Sequence, residues 1–67
     1  MGVSSVSTVT ATSSVSFQDA VERGFERAQK TLRGINKIEV VGERANVEKG
    51  RIREYEVELK IIFNLEG

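Results

Sequence analysis

The sequence predicts an α+β fold of order β-α-β-β, with a three-stranded antiparallel-type sheet, strand order 1-3-2, wrapped on one helix. Three observations carry this. Apolar residues recur at three- and four-residue steps between Phe17 and Leu32, the period of a helix with one buried face. From Tyr55 to Leu65 they fall on odd positions, the period of a strand with one buried face. The segments before and after the helical stretch are rich in Val, Ile and Thr, residues that suit a pleated surface.

The first strand is expected over about 3–11. Ser4–Ser16 is rich in Ser and Thr, a composition shared with disordered segments. Val3, Val6, Val9 and Val15 interrupt it, however, and Ser7–Thr12 alternates like a strand.

The helix is expected over about 14–33. Ser16-Phe17-Gln18-Asp19 is a Ser-x-x-Asp opening, in which the hydroxyl can accept from a free backbone N–H of the first turn. Ser13 and Ser14 offer earlier caps. Phe17, Ala20, Val21, Phe25, Ala28 and Leu32 form the core stripe, and Gly24 lies on it where only a residue without a side chain fits against a sheet. Asp19–Arg23 and Glu26–Lys30 are i,i+4 ion pairs. Gly34 is the natural left-handed C-cap.

The second strand is expected over about 37–46, with Gly42 marking a bulge or bend. Asn46–Gly50 supplies a turn, and Gly50 is available for positive φ. The third strand, about 51–65, puts Tyr55, Val57, Leu59, Ile61, Phe63 and Leu65 on the core face. Glu54, Glu56, Glu58, Lys60 and Asn64 lie on the other. A right-handed crossover joins the first two strands, and the third inserts antiparallel between them.

Composition narrows the function. The 67 residues hold ten Lys+Arg, ten Asp+Glu, and no His, Cys, Pro or Trp. Without Cys there is no disulfide, thiolate nucleophile or zinc ribbon. Without His there is no Ser–His pair and no imidazole ligand. Zero net charge gives no electrostatic footprint for nucleic acid or an anionic membrane. No apolar stretch approaches the roughly 20 residues of a membrane span. Met1-Gly2 is followed by Val6 where a myristoylation signal needs Ser or Thr, and a signal peptide is not evident, so a cytoplasmic protein is expected. A chain this short buries only about 60% of its unfolded surface, which points to self-association.

Three constellations offer chemistry. Glu54, Glu56 and Glu58 project from one strand face at about 7 Å spacing. They suit a hydrolase carboxylate pair, a divalent-cation site or, most simply, a solvated face with Lys and Arg partners. Arg23, Arg27 and Lys30 form a basic stripe that could hold the phosphate of a nucleotide-type ligand, although Asp19, Glu22 and Glu26 lie among them. Arg51 and Arg53 are expected to pair with Glu43, and Tyr55 to pack in the core. The glycines are scattered, so there is no phosphate-cradling loop.

In order and spacing the chain resembles the dodecin family over roughly residues 3–66. The matching pieces are the length, a first strand ending in Thr-Ser, and Ser16-Phe17-x-x-Ala20 opening the helix. Arg27-Ala28-x-Lys30-Thr31-Leu32, Glu54-Tyr55-x-Val57-x-Leu59 and Phe63-x-Leu65-Glu66 complete the set. The resemblance implies a single dodecin-like domain over 1–67, twelve copies assembling into a hollow shell, and a non-enzymatic role in storing flavin (riboflavin or FMN). In flavin-binding members stacked isoalloxazine rings sit near two-fold axes between tryptophans, and a glutamine bonds the ring's polar edge. Here the tryptophan position falls at Lys37 and the glutamine position at Glu56, while Arg44 matches an arginine that some members carry near the ligand. Lys37 has no flat π-surface, and an ionised Glu56 only accepts hydrogen bonds. The resemblance thus implies ligand-binding positions at Lys37, Arg44 and Glu56. Its alternative is a flavin-free or cation-binding shell with Glu54 and Glu58 at a cation site or subunit junction. A third reading is a small regulatory domain that pairs through an exposed strand edge.

Overall fold

A computed structural model describes residues 3–65. Met1-Gly2 and Glu66, which entered the sequence reading, lie outside them. The order is β1 (Val3–Ser13), α1 (Phe17–Gln29), β2 (Ile35–Glu48) and β3 (Arg51–Leu65). The sheet runs β1-β3-β2, and β3 pairs antiparallel with both neighbours. The whole of β1 is paired, from Val3 opposite Leu65 to Ser13 opposite Tyr55, so the Ser/Thr-rich segment is a strand.

The alternation in β3 sets the core. Val57, Leu59 and Ile61 are fully buried with Ala20, and Ala28 lies beside them. Val9, Ala11, Phe17, Val21, Leu32 and Ile38 are among the residues packed around this cluster. Each large aliphatic side chain buried this way stabilises the fold by about 1.5–3 kcal/mol. Phe25 departs from expectation: it is half-buried and outside the cluster. Ala20, Gly24 and Ala28 form the middle of the buried stripe, and Phe25 falls beyond Val21 at its margin.

The helix is shorter than the stripe suggests. Ser16 is the N-cap, in extended backbone at φ −169°, and its Oγ accepts from the Asp19 N–H at 2.9 Å. Ser13 serves a different purpose: its Oγ accepts from Val15 N–H and donates to Asp19 Oδ2 at 2.6 Å. At the other end Lys30 is the C-cap, and the N–H groups of Thr31 and Leu32 both reach Ala28 O. Gly34 is therefore not the cap. Its φ of +73° turns the chain into β2, where its carbonyl accepts from Asn64 N–H at 2.9 Å.

β2 is longer than expected and irregular, with register shifts between Ile35 and Lys37, Val40 and Gly42, and Asn46 and Val47. Gly42 sits at the middle one, as its identity suggested. Lys49 and Gly50, at φ 53° and 75°, form the hairpin turn. Two consecutive residues of positive φ match the right-handed twist of the strands they join.

Below Tyr55 the β2–β3 hairpin runs past the end of β1 as an arm. The molecule is accordingly long, with extents of 51 × 19 × 13 Å and a radius of gyration of 13.8 Å, against about 11 Å for a compact chain of this length. Val47 and Ile52 on the arm, and Val40 and Val41 above it, are 45–66% exposed. Among the described residues no helix is long and apolar enough to cross a membrane.

Candidate functional site: the outer face of the sheet

One sheet face is filled by α1. The other presents the even-numbered residues of β3, of which Glu56, Glu58, Lys60 and Ile62 are half-buried between both neighbouring strands. Register fixes the neighbours. On the β1 side Thr12 stands opposite Glu56, Thr10 opposite Glu58 and Thr8 opposite Lys60. On the β2 side Asn46 stands opposite Glu54, Arg44 opposite Glu56, Gly42 opposite Glu58 and Glu39 opposite Lys60.

Arg44 is the centre of this face. Its Nη1 donates to Glu56 Oε2 at 2.7 Å and its Nη2 to Glu58 Oε1 at 3.3 Å. The second bond crosses the space above Gly42, where a Cβ would lie 2.9 Å from Arg44 Nη2. A glycine at the bulge thus lets one guanidinium span two carboxylates. Glu56 first, then Glu58, holds the Arg44 guanidinium protonated above its ordinary range. The Asn46 amide donates to Glu54 Oε1 at 3.0 Å, and Lys60 Nζ lies 3.9 Å from Glu39.

The sequence-derived residues therefore separate into two groups. Arg44 and Glu56 are joined directly. Lys37 stands opposite Ile62, six residues along β3 from Glu56, or about 20 Å, so one chain does not bring Lys37 to Glu56. Glu54 and Glu58 each meet a cross-strand donor. Among the described residues no three acidic side chains converge as a metal site would require. Arg53 pairs with Glu48, not with the expected Glu43, because the two-residue turn puts Glu48 opposite Arg51 and carries Glu43 up to Val57. Tyr55 is on the core side, half-buried, with its ring edge-on to Phe17 at 4.9 Å between centroids.

Two participants escaped sequence reading. In sequence Asn46 stands at the junction of the second strand and the turn, and only the register set at Lys49-Gly50 aligns it with Glu54. Ser13 offers a helix cap in sequence, whereas in the structure it buttresses Asp19 from the end of β1. Ser13 and Arg23 hold the Asp19 carboxyl below the usual carboxylate range.

A helix enclosed on one side by a 1-3-2 antiparallel sheet, with a cross-strand Arg–Glu network on the sheet's other face, defines a class of small β-α-β-β protein. Solved structures of the same form exist. A dodecin from Streptomyces coelicolor is 33% identical, with a TM-score of 0.93 over 98% of this chain and 94% of that one. A Thermus thermophilus protein is 30% identical, with a TM-score of 0.94 over 100% and 98%. A dodecin from Streptomyces davaonensis is 29% identical, with a TM-score of 0.93 over 98% and 97%. No curated protein sequence matches the chain. The dodecin family model matches residues 3–66, and the chain belongs to the dodecin family. Flavin binding and dodecameric assembly are properties of that family.

Proposed function

We propose that this chain forms a cytoplasmic, non-enzymatic homododecameric shell that sequesters a small ligand. The observation that carries the assembly is unburied surface. The chain exposes 5085 Å², against roughly 4,200 Å² for a compact monomer of its mass. The excess of roughly 900 Å² marks a chain too extended to cover its own surface, as a subunit of an assembly is. The hairpin arm carries the exposed Val47 and Ile52, apolar side chains that a neighbouring copy would cover.

Flavin, as riboflavin or FMN, is the family's ligand and the first candidate. A specific observation favours a second reading, a shell that holds no flavin. The position expected to stack carries Lys37, and Glu56 is already engaged by Arg44. An arriving ring would find neither a π-surface nor a free amide. A cation-binding shell receives less support, since Asn46 and Arg44 already bond Glu54, Glu56 and Glu58.

Native mass spectrometry of the untagged protein, with riboflavin and FMN then added, tests this. Twelve subunits carrying flavin-sized increments support ligand storage. Twelve that stay empty support the flavin-free shell, and a monomer or dimer overturns both. The variant Lys37→Trp/Glu56→Gln should quench added riboflavin without changing the assembly. If it stays inert, the assignment of these two positions to the pocket fails.

A further inference from the structure

The basic stripe of α1 lies on the opposite side of the sheet from the Arg–Glu network, and the proposed flavin site does not use it. Arg23, Arg27 and Thr31 follow one another at four-residue steps. Beside them Gly24 and Ala28 offer no bulk, so β1 approaches closely there. Between α1 and β1 the surface opens into a cleft of about 340 Å³, at the small end of the range for organic ligands.

The lining of this cleft is two-sided. Val9, Ala11, Ala28 and Leu32 supply an apolar floor, and Ser7 and Thr31 bring hydroxyls to its walls. Arg23 and Arg27 stand at the rim, and among the described residues no carboxylate lines the cleft. Arg23 commits its Nε to Asp19 at 2.7 Å, which leaves its two terminal nitrogens for another acceptor. Glu26 contributes only a distant attraction to Arg23. Arg27 has no ion-pair partner among the described residues. An apolar floor beside the unpaired Arg27 guanidinium and the two free terminal nitrogens of Arg23 selects one ligand class, because guanidinium nitrogens bond phosphate and carboxylate oxygens in a fork.

We propose that this cleft binds an amphipathic organic anion. Its small apolar body lies against Val9 and Ala28, and its terminal phosphate or carboxylate is held by Arg27 and the free nitrogens of Arg23. The site is separate from any flavin pocket and does not depend on one.

The test uses the protein in its native assembly and a matched pair of probes, 1-naphthyl phosphate and 1-naphthol, titrated by calorimetry. The phosphate is expected to bind at least tenfold more tightly than the alcohol. Arg27→Gln should weaken it about tenfold or more, and Arg23→Gln should weaken it less, since Asp19 already takes part of that group. Arg51→Gln, on the hairpin arm, removes the same charge far from the cleft and should change nothing. Equal affinity for the two probes overturns the proposal. So does the absence of binding, which would mean that a neighbouring copy fills the cleft, and so does an equal loss in Arg27→Gln and Arg51→Gln.

Discussion

Gly24 and Leu59 meet where α1 crosses the middle strand: a methyl group on Gly24 would lie 2.7 Å from Leu59 Cδ1 and 3.1 Å from Ala11 Cβ. Leu59 is fully buried, so its Cδ1 methyl would have to shift within the packed core. Gly24→Ala would gain about 1 kcal/mol of helix propensity, but overpacking a closed core costs about 1–3 kcal/mol. The net expectation is a loss of about 1 kcal/mol in urea unfolding, partly recovered in Gly24→Ala/Leu59→Val. A more stable Gly24→Ala variant would show that the helix can slide away from the sheet.

Asp19 ties the end of β1 to the first turn of α1 through Ser13 and Arg23. These partners lower its pKa from the ordinary 3.8. The unfolded chain therefore takes up a proton before the folded one does, and stability falls as pH drops below about 4. Above that range the contribution is complete. In Asp19→Asn the acid limb of a Tm-against-pH curve should be shallower than in the parent. Superimposable limbs would assign the acid sensitivity to other carboxylates.

Phe17 and Tyr55 form an edge-to-face pair at 72° between ring planes, joining the start of α1 to the end of the β1–β3 pairing. A double-mutant cycle with Phe17→Leu and Tyr55→Leu should give a coupling of about 0.5–1.5 kcal/mol. Strictly additive losses would mean that the rings contribute through burial alone.

Lys49 is the one non-glycine residue with positive φ among those described. Lys49→Asn installs the Asn-Gly pair that such turns prefer and should raise stability by about 0.5 kcal/mol. Gly50→Ala, at φ 75°, should lower it by about 1 kcal/mol. Thermal melts of the two variants should move in opposite directions.

The fold was legible because its two strongest signals are local. Odd-numbered burial in β3 and the stripe of α1 are written in consecutive residues, and together they leave few arrangements of the other strands. The cross-strand site was legible only in part. Arg44 and Glu56 could be placed near each other by family resemblance, but what joins them to Glu58 is the bulge at Gly42, where the register slips. Sequence shows a glycine there and not the direction of the slip. The same gap explains Arg53: its partner depends on a two-residue turn, and one further turn residue would have changed every pairing on the arm. Phe25 failed differently. Large apolar residues are natural candidates for a core, yet the contact with the sheet is made by the smallest residues of α1, so the bulky one is left at the edge. Lys37 and Glu56 are about 20 Å apart along the sheet, and only a second chain can make them neighbours.

The strand order also governs how the molecule is made. During synthesis β1 and β2 leave the ribosome before β3, yet neither pairs with the other, and each finds its hydrogen-bond partner only in β3. Before β3 emerges, only α1 and local turns have their partners present. The Val- and Thr-rich first strand must stay in solution while the 37 residues between it and β3 are added. Ser4 and Ser13 bond Asn64 and Asp19 in the finished sheet, but the hydroxyls between them serve first to keep that waiting strand soluble, a sequence requirement that the folded molecule alone does not impose.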